Sequence, residues 1–321
     1  MKVLALPDLH IDEKRPQCRT DEDYFATCLS KIKFCVEQAI TNKVDVVLQP
    51  GDFWNRPRIS YNAYAQIANL LTILQTCKIQ VYCVYGQHDL DFRDKNNTMM
   101  NSLQKSGLVY IAGEGQRIFI NDKDSPGKGV YIYGCSYDSP VPTVQERDCP
   151  SILMYHGMVL KDENSKLWAE QTGYKTIKDF LEWDLVISGD NHTSFNIDCS
   201  SGHSTTGIAK VINCGCMMRN TIDMFDYNPV ISFIEITSNN ILSMPIAVPV
   251  QAAEKCFCNV EAIKKKDEQD EKIKEFIKSL SGDITINDID FVKNLTEFIK
   301  TNEITTEVQT AIQTVLKNAG K

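Results

Sequence analysis

No stretch of this sequence approaches the roughly 20 consecutive apolar residues that a membrane-spanning helix needs. No basic, signal-like region precedes the first apolar run, which begins at Lys2. The expectation is a chain without membrane contact that stays in the cytoplasm. A basic excess is missing too. The formal net charge is −8, which argues against an autonomous, high-affinity binder of nucleic acid. It leaves room for an enzyme that cuts nucleic acid, because a site built of aspartates subtracts charge that metal ions restore. The twelve cysteines follow no framework spacing. Cys28, Cys35, Cys77, Cys83 and Cys135 fall in apolar segments, where a reduced thiol packs as a small hydrophobe. Two Cys-x-Cys pairs, Cys214/Cys216 and Cys256/Cys258, offer at most half of a zinc site, for which CxxC spacing is usual. Internal repeats and low-complexity segments are absent. Histidine is scarce, with five in the chain, so the position of each one carries weight.

What is present is a set of short apolar runs that stop at polar residues of one kind. Val3-Leu4-Ala5-Leu6 ends at Asp8-Leu9-His10. Residues 44–48 end at Gly51-Asp52, and residues 81–85 at Gly86-Gln87-His88-Asp89. Ile152-Leu153-Met154-Tyr155 delivers His156, and Leu185-Val186-Ile187 leads into Ser188-Gly189-Asp190-Asn191-His192. Strands that finish in Asp, His or a carboxamide, with glycine permitting tight backbone, are what a metal site at the edge of a sheet requires. Four of the five histidines sit in these endings; His203, in a Ser/Gly-rich loop, reads as an exposed residue.

A chain of this length buries one large core and a smaller appendage. The acidic stretch Thr20-Asp21-Glu22-Asp23 opens a helix whose apolar face runs through Tyr24, Phe25, Cys28, Leu29, Ile32, Cys35, Val36, Ala39 and Ile40. A second amphipathic helix covers about residues 60–76. Strand–helix–strand–helix–strand is the rhythm of parallel crossovers. Beyond Asn96-Asn97 the strands are shorter and closer (108–111, 117–120, 130–133), a spacing that reads as hairpins. A helical stretch near 175–181 and strands around 211–212, 230–236 and 241–247 follow. The expected fold class is α/β: two packed mixed β-sheets flanked by helices, with a small C-terminal helical appendage. Composition shifts at Gln251, which puts the main domain at 1–250 and a helical cap or partner-binding region at 251–321. That region carries apolar stripes (Ile273, Phe276, Ile277, Leu280; Ile289, Val292, Leu295, Phe298; Val308, Ile312, Val315) and the run Lys264-Lys265-Lys266, either a solvated charge run or a contact for phosphates.

The ordered set Asp-x-His, Gly-Asp, Gly-x-His-Asp, His and Gly-x-x-His resembles the calcineurin-like metallophosphoesterase family over roughly residues 1–250. The resemblance implies an αββα sandwich and two divalent metal ions bridged by Asp52. One ion would take Asp8, His10 and His192; the other Gln87, His156 and Asp190. A carboxylate can span two cations about 3.5–4 Å apart, and a water or hydroxide between them, its pKa lowered from about 15.7 towards 7, would attack phosphorus in line. His88 is implied as the group that meets the transition state, stabilising charge or protonating the leaving oxygen. Asp89 would orient the loop or that imidazole. Two positions depart from the family motif: Gln87 stands where asparagine is usual, and Asp190 where the first histidine of Gly-His-x-His is usual. Both replacements still donate oxygen, which makes the second site oxygen-rich and implies a preference for Mn²⁺, or Mg²⁺, over Zn²⁺.

Within the family, Gly51-Asp52-Phe53-Trp54 followed by Arg56-Pro57 looks like the nuclease subunit of SbcCD-type DNA repair complexes. Cys214-Gly215-Cys216-Met217-Met218-Arg219 is similar, more loosely, to the loop that closes the nuclease domain there. The Gly-Asp-x-x-Asp-Arg-Gly signature of phosphoprotein phosphatases is absent. The implied substrate is DNA and the implied partner an SbcC-like coiled-coil ATPase, with homodimerisation a further option. Trp54, Arg56 and Arg58 would line the substrate groove, although Trp54 could equally pack over the metal loop. Two other readings stay open: a stand-alone phosphodiesterase or phosphatase for small nucleotides, and a scaffold without catalysis.

Overall fold

Val3, Leu4 and Ala5 are all fully buried, and a strand that is apolar on both faces needs cover on both. The computed structural model describes residues 1–258 apart from 114–115, 124, 126, 146, 162–172 and 238. It supplies that cover. Strands β1 (Lys2–Ala5), β2 (Val46–Gln49) and β3 (Gln80–Cys83) run parallel, side by side. Val3, Ala5, Val46 and Leu48 belong to the core between the two sheets, and Leu4, Val47 and Val81 to the core under the helices, the alternation a pleated strand imposes. Those helices are α1 (Tyr24–Thr41) and α2 (Tyr61–Thr76). Asp23 caps α1 by accepting from the Ala26 amide at 2.8 Å, and Ser60 caps α2 by accepting from Ala63 at 3.1 Å. The buried stripe of α1 includes Cys28 and Cys35, as the sequence implies; Cys77, just past α2, is exposed.

Among the described residues, twelve strands form two six-stranded sheets. The first has the order β12-β11-β1-β2-β3-β4, with β4 (Tyr110–Ile111), β11 (Val230–Ile236) and β12 (Ile241–Ala247). The second runs β5-β6-β7-β8-β10-β9, with β5 (Arg117–Asn121), β6 (Gly129–Cys135), β7 (Ser151–His156), β8 (Leu185–Gly189), β9 (Phe195–Ser200) and β10 (Ile208–Asn213). Strands β6, β7, β8 and β10 are parallel, and β5, β9, β11 and β12 add antiparallel edges. This is the expected α/β arrangement of two mixed sheets with flanking helices. The far face of the second sheet has its own core, where Tyr133 meets Trp183 edge-on with ring centres 4.9 Å apart.

Two elements differ from the sequence reading. β4 pairs in parallel with β3, so the hairpin is β5–β6 alone; a short helix, α3 (Met99–Lys105), makes the crossover that a parallel neighbour needs. Seven residues give too few turns to show a period. β9 escapes for a related reason: it is an edge strand carrying Asn196, Asp198 and Ser200 among its apolar residues.

The chain divides into two units, Met1–Val260 and Glu261–Lys321. Residues 251–258, which composition alone assigns to the tail, continue the first unit. The short helix α4 (Ala253–Cys256) leads to Phe257, buried with the Arg19 and Arg219 guanidiniums 5.4 and 5.6 Å from its ring centre. The helical stripes from Ile273 onward and the lysines at 264–266 lie outside the described residues. Among the described residues, no helix is long and apolar enough to cross a membrane.

Candidate metal centre

Parallel strands finish on the same edge of a sheet, so β1, β2 and β3 bring Asp8, His10, Asp52, Gln87 and His88 to one rim. β7 and β8 bring His156, Asp190 and His192 to the facing rim. The loops turn sharply there. His10, Asp52 and Asp190 have φ of 44°, 51° and 81°, the left-handed region that non-glycine residues rarely adopt, and such strain collects at functional sites. Buried Gln49 ties two of the loops together, its amide donating to the carbonyls of Pro7 and Gly51. Close packing fixes the rest: a Cβ added to Gly86 would lie 2.1 Å from Asp52 Oδ1, and one added to Gly189 would lie 2.4 Å from Asp8 Oδ1.

The side chains form two facing pairs with Asp52 between them. His10 Nε2 and His192 Nε2 stand 3.1 Å apart, and His156 Nε2 stands 2.6 Å from Gln87 Oε1. His156 Nδ1–H donates to the Pro50 carbonyl at 2.7 Å, which leaves Nε2 as the lone-pair nitrogen of the neutral ring. A protonated His156 ring donates from Nε2 to Gln87 Oε1, and one of the facing His10 and His192 nitrogens can carry the proton between them, so in each pair a proton or a cation lies between the two atoms. Asp52 Oδ2 is 3.6 Å from His10 Nε2 and 3.5 Å from His156 Nε2, while Oδ1 accepts the His88 amide at 2.9 Å. Asp8 Oδ2 accepts the Asp190 amide at 2.7 Å. Gln87 Nε2 donates to Asp190 Oδ1 at 2.8 Å.

One oxygen of each central carboxylate lacks a donor. Asp8 and Asp52 are fully buried, and Asp8 Oδ1 and Asp52 Oδ2 have no hydrogen-bond partner. Among the described residues only histidines form ion pairs with them. Burial drives Asp8 well above the usual carboxylate range, against His156 and with Asp52 adding to the rise. Burial also opposes ionisation of Asp52, but the neighbouring His156 and His10 outweigh it and hold that carboxyl below its ordinary value. His10 is pushed down to about 3, by burial first and by the other histidines against the pull of Asp52, so its ring is neutral and ready to ligate. His192 is lowered for the same first reason. Buried carboxylate oxygens without donors are costly, and carboxylate, imidazole and carboxamide together are a donor set that divalent cations accept. The residues present fit two such ions.

The remaining site residues separate clearly. His88 is exposed at the mouth, its ring edge-on to His10 with centres 4.8 Å apart, and its Nδ1–H donates to the Asn55 carbonyl at 3.0 Å. Asp89 is fully buried and does not touch that imidazole; it accepts from the amides of Phe53, Trp54 and Gly86. It braces two site loops and is a positioning residue rather than a catalytic one. Burial, reinforced by Asp52, raises it to about 7. Trp54 is fully buried against Phe53, which corrects its assignment to a substrate groove: the loop turns the indole inward to pack. Arg56 pairs with Asp12 at 2.5 Å and Arg58 with Asp91 at 2.6 Å, so both guanidiniums are engaged within the protein. Neither Cys-x-Cys pair joins a four-ligand cluster among the described residues. Cys216 instead adjoins the site, its sulfur within 4.8 Å of ligand atoms of His10 and His192. The sequence offers Cys216 as half of a separate zinc site, not as a neighbour of His10 and His192; the parallel bridge between Asp8 and Cys216 places it here.

Among solved structures, the fold is similar to TT1561 of Thermus thermophilus (13% identity, covering 76% of this chain and 98% of that one, TM-score 0.44). It is also similar to a dimetal phosphatase from Danio rerio (12%, 78% and 99%, 0.46) and to Vps29 from Chaetomium thermophilum (12%, 78% and 97%, 0.33). The pattern of the calcineurin-like phosphoesterases matches residues 1–213, the span that carries every strand-end motif described above. With that match over 213 of 321 residues, the chain belongs to the calcineurin-like phosphoesterase family.

Proposed function

We propose that the chain is a metal-dependent hydrolase of small phosphoesters, working at the cluster around Asp52. The observation that carries this reading is Asp52 Oδ2, a buried oxygen without a partner, almost equidistant from His10 and His156. Asp8, His10 and His192 would hold one divalent ion, Gln87 and His156 with Asp190 beside them the other, and Asp52 both. Bound there, the ions supply Lewis acidity for a phosphoryl group and bring the pKa of a water near neutrality; the oxygen-rich second position favours Mn²⁺ or Mg²⁺. His88 acts from the chain itself. Its backbone is held by Asp52 and its Nδ1–H by the Asn55 carbonyl, which leaves Nε2 at the mouth, where the imidazolium form would give its Nε2 proton to the leaving oxygen and return to the neutral ring.

Small substrates are favoured because a polyanion needs a basic grip. Each of Arg56, Arg58 and Arg93 has an acid beside it, Asp12, Asp91 and Asp138, which leaves these loops without a net basic patch. The second reading, a DNA nuclease working with an SbcC-like ATPase, rests on the Gly51-Asp52-Phe53-Trp54 loop and would take its grip from the partner. Purified protein with MnCl₂ should hydrolyse bis-p-nitrophenyl phosphate or a cyclic or linear dinucleotide, and lose that activity with His88→Ala. Digestion confined to linear DNA, and only with an ATPase partner, would favour the nuclease. Calorimetry that detects no divalent-ion binding would leave a scaffold and overturn the proposal.

A further inference from the structure

The two positions at which this chain departs from the family motif touch each other. Gln87 Nε2 donates to Asp190 Oδ1 at 2.8 Å, and the same carboxamide presents Oε1 to His156 Nε2 at 2.6 Å. A carboxamide can sit either way round, and only the hydrogen-bond network decides which end is oxygen. Asp190 has acceptors only, so it binds the nitrogen end and turns the oxygen toward His156. The Asp190 backbone is itself held in place, with φ of 81° and its amide given to Asp8 Oδ2. In the two-ion reading a cation replaces the proton between His156 Nε2 and Gln87 Oε1, and Asp190 holds the nitrogen end of the same carboxamide.

We infer that Gln87 and Asp190 work as a mated pair, in which Asp190 is a positioning residue that locks the Gln87 carboxamide with its oxygen toward the second metal position. The inference rests on the two-ion reading above and deepens it: Gln87 is the ligand, and Asp190 acts through it. This differs from the expectation that Asp190 ligates directly. Gln87 brings a stem one methylene longer than asparagine, and that reach is what lets its nitrogen end meet Asp190.

The test is Mn²⁺ binding by calorimetry and electron paramagnetic resonance on the full chain, with no substrate present. Asp190→Ala should weaken the second ion about 10–100-fold, the usual loss when the partner of a ligand is removed. Asp190→Asn should stay far nearer to wild type, because its amide oxygen still accepts from Gln87. In a Gln87→Ala background, adding Asp190→Ala should cost nothing more, since residues that act through each other are not additive. If Asp190→Asn is as weak as Asp190→Ala, or the losses at 87 and 190 multiply, Asp190 is an independent ligand and the inference fails while the two-ion reading stands. If wild-type protein binds no Mn²⁺, both fall. Melting in EDTA separates misfolded variants, and the near-isosteric Asp190→Asn decides the matter if the alanine variant does not fold.

Discussion

Asp52→Asn changes almost nothing in shape and removes the feature on which the metal centre depends. Oδ1 must go on accepting the His88 amide, so the new NH₂ group takes the place of Oδ2 and points a donor at His10 and His156. In metal-free protein two effects oppose. The His156 ring loses its counter-charge, while Asp8 and Asp89, both raised by the Asp52 charge, are relieved. The melting temperature in EDTA should therefore move little. With Mn²⁺ at about 100 times its dissociation constant, each site in wild type contributes ~2.7 kcal/mol, so two contribute ~5 kcal/mol. At roughly 2–4 °C per kcal/mol for a unit of this size, the melting temperature should rise on the order of 10 °C or more. Asp52→Asn should lose most of that rise. Scanning calorimetry in EDTA and in excess MnCl₂ measures both. If the variant keeps more than half of the metal-induced shift, Asp52 does not bridge the ions and the site must be redrawn.

Gly86→Ala should be destabilising by about 1–3 kcal/mol, the usual cost of overpacking. The backbone there (φ −91°) suits alanine, so the cause is the close approach to Asp52, 2.1 Å to Oδ1 and 2.3 Å to its backbone nitrogen; urea unfolding that matches wild type would show that the loop simply yields. His88→Ala should lower kcat about 10²–10⁴-fold with Mn²⁺ affinity intact, since the ring is exposed at the mouth while Asp8, His10, Asp52 and His156 are buried; loss of metal binding would instead make it a ligand, in the group His10, Asp52 and His88. Proton linkage follows from two histidines of opposite sign. Burial opposes the charge on His156, but Asp52, Asp8 and Asp190 push it up to about 10; its contribution to stability is full below its ordinary 6.5 and is lost as pH rises toward 10. His10, held near 3, contributes stability that is present above 6.5 and lost as pH falls toward 3. Asp8 and Asp89, both raised, also lose stability as pH rises, so chelator-treated protein should melt progressively lower from pH 6.5 toward 10, and Mn²⁺ binding at pH 7 should release at least one proton, that of His156. A melting temperature that climbs steadily to pH 9, or calorimetry independent of buffer ionisation, would contradict those assignments.

The sequence by itself determined which residues meet. Short continuous apolar runs had to be strands buried on both faces, and the helical period between them required parallel crossovers, so the polar residues at their ends had to share a rim. Asp8, His10, Asp52, His156 and His192 were legible for that reason, and the capped, striped helices α1 and α2 for a similar one. Tertiary structure alone decided the rest, because it depends on direction rather than spacing. Whether Trp54 faces substrate or core is a rotation about one bond, and packing against Phe53 turned it inward. Arg56 and Arg58 looked available until Asp12 and Asp91 stood beside them, and Asp89 became a brace only when three amides converged on it. The contact between Gln87 and Asp190, 103 residues apart in the chain, exists only because β3 and β8 end on facing sheets.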